Sequence, residues 1–174
     1  MGLLESEKVR LRALELEDVE ILYRWENDTA VWGVSDTLLP FSRDVLRRFI
    51  EEQVKDIYQT RQSRFVIEAV EDGRSIGVID LFDFDPHHRR AGVGILVYEP
   101  GDRRKGYAAE ALRTLVEYGF GVLQLHQLYC HIPTSNTASQ RLFEAAGFEC
   151  CGVKKEWLRR PGGWEDEYVY QLLN

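Results

Sequence analysis

Ile95-Leu96-Val97, followed by Arg103-Arg104-Lys105-Gly106-Tyr107-Ala108 and an apolar helical stripe that begins at Ala108, is the stretch whose reading decides the fold. A strand, a basic glycine-bearing turn and a helix N-terminus succeed one another here. Free N–H groups of a first helical turn, the positive end of the helix dipole and three adjacent cations all favour phosphate oxygens. The turn therefore reads as an anion cradle. Two nucleotide motifs fail at these residues. Gly101 and Gly106 have Walker A spacing, but Tyr107 and Ala108 stand where that motif needs Lys and then Ser or Thr. Gly92-Val93-Gly94 opens like a dinucleotide fingerprint, yet Val97 replaces its third glycine and the run alternates like a strand.

Working outward toward the N-terminus, Val9 to Arg12 alternates as a first strand, and Leu16 to Asn27 carries a helical stripe. Ala30 to Phe41 has no clear period but more apolar material than a solvated loop needs. Ser42 can cap a second helix, predicted to run to about Tyr58. Phe65 to Val70, Ser75 to Phe84 and Arg90 to Val97 read as three consecutive antiparallel strands. Beyond the basic turn come a helix to about Val122, a strand over Leu128–Ile132, and a short helix from Thr137 to Ala146 closed by Gly147. Two last strands, about Phe148 to Leu158 and Glu165 to Leu172, are joined by Pro161-Gly162-Gly163.

The chain has 174 residues, 44% of them hydrophobic, which suits one domain spanning 1–174 with its own core. The net charge of −7 argues against general nucleic-acid binding and mildly favours a cationic substrate. Met1 to Arg12 lacks the apolar core of a signal peptide and no apolar run is long enough to span a bilayer, so the expected location is the cytoplasm, with no membrane partner. Cys130, Cys150 and Cys151 fit neither a zinc pattern nor a disulfide framework and read as reduced, mostly core thiols. No metal is expected.

In its element order, and in Arg103-x-x-Gly106-x-Ala108 joined to Asn136-x-x-Ser139 and Gly147-Phe148, the sequence resembles the GNAT superfamily of acyl-CoA-dependent N-acetyltransferases over nearly the whole chain. Arg24-Trp25-x-Asn27-Asp28 and Pro40-x-Ser42 are similar to the ribosomal-protein N-terminal acetyltransferases. Arg64 to Glu68, His88 to Ala91, Tyr118-Gly119-Phe120 and Leu128-Tyr129 are similar to bacterial spermidine N-acetyltransferases. The resemblance implies an α/β (α+β) fold: a central mixed, mostly antiparallel seven-stranded sheet flanked by about four helices, with the fourth and fifth strands splayed. It implies acetyl-CoA as cosubstrate, a polyamine or a protein N-terminus as acceptor, direct attack in a ternary complex, and a homodimer. The rival reading is an acyl-CoA-binding module with little or no turnover.

The same resemblance implies that Arg103, Arg104, Lys105, Gly106, Tyr107 and Ala108 take the coenzyme pyrophosphate, and that Ile95, Leu96 and Val97 lie along the pantetheine arm. A backbone N–H near Leu96 or Val97 would polarise the thioester. Asn136 would bond the arm, cap the helix, or both. Phe143 occupies the position of a tyrosine that protonates the departing thiolate in many of these enzymes, and has no proton to give. Ser139, one turn earlier, is the replacement, or else an ordinary first-turn serine. Gly92 stands where the spermidine and ribosomal-protein enzymes commonly have Glu, which weighs against a polyamine.

An alkyl amine of pKa about 10.4 must lose a proton before it attacks. Asp80, Asp83 and His131 are the candidate groups, although two aspartates on opposite faces of one strand cannot share a pocket. Trp25, Trp32 and Trp157 read as core, with an amine-binding aromatic box as the alternative. His87-His88-Arg89-Arg90 reads as a solvated turn rather than a metal or phosphate patch.

Overall fold

The structure is a computed structural model that describes residues 2–35 and 37–174. Its elements are β1 (Val9–Ala13), α1 (Val19–Glu26), α2 (Thr29–Ser35), α3 (Arg43–Glu52), α4 (Ile57–Thr60), β2 (Ser63–Ala69), β3 (Ser75–Asp85), β4 (Arg90–Val97), α5 (Tyr107–Gly121), β5 (Gln127–Pro133), α6 (Thr137–Ala145), β6 (Glu149–Arg160) and β7 (Gly163–Leu173). The strands form one seven-stranded sheet in the order β1-β2-β3-β4-β5-β7-β6. All neighbours are antiparallel except β4 and β5, which are parallel. The expected mixed sheet is present. Among the described residues no helix is long and apolar enough to cross a membrane.

Strand alternation sorts the core onto two faces. Phe65 pairs with Ile79 and joins Ile67 in the cluster that packs Ala111, Leu112 and Leu115 of α5. Val66 pairs with Val78, and both face Leu22 and Trp25 of α1 and Leu46 and Ile50 of α3. Both faces of β2 are covered, which is why Phe65-Val66-Ile67 reads as an unbroken apolar run. Leu112 and Leu115 are fully buried, each contributing about 1.5–3 kcal/mol of transfer free energy.

Three expectations need correction. Among the described residues six α-helices surround the sheet rather than about four, the additions being the short α2 and α4. The helix capped by Ser42, whose Oγ accepts from Val45 N at 3.2 Å, ends at Glu52 instead of Tyr58. Val54 extends the apolar spacing by one position but is 90% exposed, and the Asp56 side chain starts a new turn by accepting from Gln59 N. Finally, only Cys130 is a core thiol; Cys150 and Cys151 are exposed.

Candidate active site

β4 and β5 pair only through Arg90–Gln127, Ala91–Leu128 and Gly92–Tyr129. β5 instead follows β7 along its whole length, from Gln127–Leu173 to Pro133–Glu167, and so diverges from β4. The gap is a cleft of about 500 Å³ lined by Val93 to Leu96 on one side and Cys130, His131 and Pro133 on the other. Alternate backbone N–H and C=O groups of the free β4 segment turn toward it. A ring stands at its closed end. A Cβ on Gly92 would lie 2.3 Å from the Phe82 ring, so Phe82 takes the space any side chain at that position would need.

β4 leads into the basic turn. Arg103 donates to the carbonyls of Val97 and Tyr98, and Lys105 pairs with Asp102 at 3.3 Å, so two of the three cations hold the loop's shape. Asp102 is buried and also receives both arms of Arg74 at 2.7 and 3.0 Å; that pairing, with Lys105, lowers its carboxyl to about 2. Arg104 is exposed and has no partner among the described residues. Gly106, at φ +86, is the N-cap of α5, and the first helical bond runs from Glu110 N to its carbonyl. The N–H groups of Tyr107, Ala108 and Ala109 therefore precede the first intrahelical bond. Lys8 donates to the Lys105 carbonyl at 3.1 Å, and its Nζ lies 3.1 Å from where a Gly106 Cβ would be. The Tyr107 ring is buried with its hydroxyl on Glu71, which raises it to about 12, so only its backbone is offered to an anion. Bare N–H groups under a glycine, with Arg104 and Lys8 beside them, fit a pyrophosphate.

The α6 wall carries Asn136, Ser139 and Phe143. Asn136 Oδ1 accepts from Ser139 N at 3.1 Å, which fixes the cap role and leaves Nδ2 to donate. Phe143 is 2% exposed and edge-on to Phe148, a carbon wall.

Charged groups gather at two further places. Arg64 of β2 grips Asp80 of β3 through Nε and Nη2 at 2.7 and 3.0 Å, and reaches Glu26 Oε1 of α1 at 2.6 Å. Burial works against the guanidinium charge, but Asp80 and Glu26 outweigh it and push its pKa above the usual arginine value. Tyr98, stacked on Trp25 at 4.5 Å, borders this group, and burial together with Glu26 raises its phenol. Opposite lies His131, with Lys154 Nζ 3.2 Å from Nδ1 and 3.1 Å from Glu167 Oε2. Burial, aided by Lys154, lowers the His131 pKa below 6.5.

Asp80 and His131 line the cleft, whereas Asp83 is exposed outside it. The pairing shifts register between Phe82 and Asp85, and Asp83 sits at φ +48, so its side chain leaves the strand's alternation. Trp25 is core, Trp32 is half-buried and donates to the Glu26 carbonyl, and Trp157 is exposed with Lys154 4.6 Å over its ring. Asp85 accepts from the backbones of His87 and His88, closing an exposed turn. Sequence reasoning missed Glu26, Arg64 as an ion-pair hub, Lys154, Glu167 and Lys8. Glu26 is the unspecified position inside Arg24-Trp25-x-Asn27, the one signal that pointed near it.

Comparison with known proteins identifies the family and the fold. Residues 8–149 match the acetyltransferase (GNAT) domain. The N-acetyltransferase p20 of Bacillus licheniformis is 28% identical, over 99% of this chain and 97% of that protein. Spermidine N(1)-acetyltransferase of Escherichia coli K12 is 29% identical, over 84% of this chain and 76% of that protein. The crystal structure of spermidine N-acetyltransferase from Vibrio cholerae, in complex with CoA and spermine, superposes with a TM-score of 0.86 at 25% identity, covering 97% of this chain and 96% of that one. The chain belongs to the acetyltransferase (GNAT) domain family, as an N-acetyltransferase that uses acetyl-CoA.

Proposed function

We propose that the cleft moves the acetyl group of acetyl-CoA to a primary amine held on the Glu26–Arg64–Asp80 side. The observation that carries this reading is the divergence of β4 from β5 beyond Gly92, which opens a cleft running along β4, the strand that leads toward the anion turn, to the carboxylates of Glu26 and Asp80. Acetyl-CoA supplies the acetyl group as an activated thioester. Gly106, the N–H groups of Tyr107 and Ala108, and the side chains of Arg104 and Lys8 would hold its pyrophosphate, with Arg103 and Lys105 shaping the loop. Ile95, Leu96, Val97, Asn136 and Phe143 would line its arm, and a free N–H at Leu96 or Val97 would face the carbonyl oxygen.

The acceptor arrives as an ammonium, which Glu26 and Asp80 attract. Both Asp80 oxygens are taken by Arg64, whereas Glu26 Oε2 has no partner among the described residues. Glu26 Oε2 therefore accepts the proton, directly or through water. A Lys154 ammonium donating to His131 Nδ1 leaves the ring proton on Nε2, so His131 presents a donor to the cleft rather than a base. The Ser139 hydroxyl, set on the same wall by the Asn136 cap, passes a proton to the departing sulfur in place of the tyrosine replaced by Phe143 and regains one from the nitrogen as the amide forms, directly or through water.

Polyamines and protein N-termini both present such an amine. Relatives named for spermidine support the first, and Arg24-Trp25-x-Asn27-Asp28 with Ser139 supports the second. A reducing cytoplasm suits three free cysteines, and a homodimer suits the open backbone edge of β6. The test is thiol release from acetyl-CoA with mass detection of the acetylated amine across polyamines, peptides and simple amines. Tight coenzyme binding without any acetylated product would favour the acyl-CoA-binding module instead.

A further inference from the structure

Glu26, Arg64 and Asp80 border two cavities at once. Beyond the cleft, between α3 and the β2–β3 pair, lies a second cavity of about 380 Å³. Its apolar lining comes from Phe41, Val45, Leu46, Phe49, Leu81 and Phe82, and among the described residues its remaining polar groups are neutral apart from the three shared charged residues. A cavity of about 150 Å³ already accommodates benzene, so this one has room for a hexyl chain or an aromatic ring.

Charge decides what can enter it. Two carboxylates and one guanidinium leave a single surplus negative charge at the junction, enough for one ammonium. The cleft as a whole offers no more: Glu26, Asp80 and Glu167 are matched by Arg64, Lys154 and Arg160. These cations are themselves engaged, Lys154 with Glu167 and Arg160 with Glu165. A second ammonium entering the second cavity would lose water without gaining a counter-ion among the described residues, at high cost. The Phe49 ring offers it no substitute, since Arg64 already lies 5.3 Å over its face. Phe82, filling the space above Gly92, keeps that part of the wall aromatic.

We propose that the acceptor is a monocationic primary amine bearing a hydrophobic substituent, with its nitrogen at Glu26 and its substituent in the cavity between α3 and β3. The inference rests on the acetyltransferase reading above and narrows its acceptor away from polyamines. The reactive nitrogen stays at the boundary of the cleft while the rest of the molecule is buried behind it.

The test compares hexylamine with 1,5-diaminopentane, which have the same number of heavy atoms and differ in a terminal methyl against a terminal ammonium. Hexylamine is expected to show a kcat/KM at least tenfold higher, equivalent to about 1.4 kcal/mol. Equal rates, or a preference for the diamine, would overturn the proposal. Val45→Glu places a carboxylate in the second cavity at a helix position that is 49% exposed, where folding tolerates it. In that variant the ratio is expected to move at least tenfold toward the diamine; an unmoved ratio would place the substituent elsewhere and contradict the proposal. If no amine is acetylated, the transferase reading fails, and calorimetry with coenzyme A present still decides the preference. Tighter binding of hexylamine supports the inference, and equal or weaker binding overturns it.

Discussion

At the N-terminus of α5 the groups that would meet a ligand are backbone N–H groups in one short turn, whereas at the α1 end of the cleft Glu26, Arg64 and Asp80 converge from three elements, 38 and 16 residues apart. The first end works through conformation: Gly106 at φ +86 bares the amides, and Asp102 with Arg74 and Lys105 fixes the loop. The second works through charge balance in a partly buried cluster. A backbone site keeps its anion chemistry while most of its side chains change. A balanced ion cluster changes its preference with any one substitution, so donor recognition is robust here and acceptor recognition is not.

The largest expected effect breaks the charged end. Arg64→Ala leaves Glu26 and Asp80 facing each other without a counter-ion and should cost about 3–5 kcal/mol in urea denaturation. A loss below about 1 kcal/mol would mean that the cluster is not balanced as described. At the other end, Gly106→Val forces a β-branched residue to positive φ beside Lys8 and should raise the KM for acetyl-CoA about 10- to 100-fold, with little change in the KM for amine. Equal changes in both constants would erase the distinction between the two ends.

Smaller effects sharpen the chemistry between them. Ser139→Ala should lower kcat about tenfold while coenzyme affinity in a fluorescence titration stays nearly constant, a loss of about 1.4 kcal/mol confined to turnover. Unchanged turnover removes Ser139 from the mechanism. The smallest effect is a pH dependence. Burial and Lys154 hold His131 neutral down to pH values below 6.5; acidification through its lowered pKa adds a second cation beside Lys154. The rate should therefore fall on the acid side only, and His131→Gln should flatten that limb of the kcat/KM profile. An identical limb in the variant assigns the titration to another group.

What the sequence discloses follows the same division. Strand alternation, the Ser42 and Asn136 caps and the glycine-bearing turn are local, so the sheet, most helices and the anion site could be read directly from neighbouring residues. The end of α3 was misjudged because Val54 continues the apolar spacing while facing solvent, and Asp56 overrides it with a new cap. Alternation alone says that Asp80 and Asp83 cannot share a pocket, and only Asp80 lines the cleft; the bulge past Phe82 that sets Asp83 at φ +48 has no such local signal. Glu26, Lys154 and Lys8 escaped notice for a different reason. Each matters only through a partner distant in the chain, as when Lys8 reaches the Lys105 carbonyl across 97 residues. No periodicity encodes such a meeting.

The most direct test of the central claim is the stoichiometry of a single reaction mixture containing the full chain, acetyl-CoA and hexylamine. Free thiol is counted against N-acetylhexylamine identified by mass. One thiol for each acetylated amine, with both absent when the amine is omitted, is the predicted result. Thiol release without the amide, or firm coenzyme binding with neither product, would contradict it.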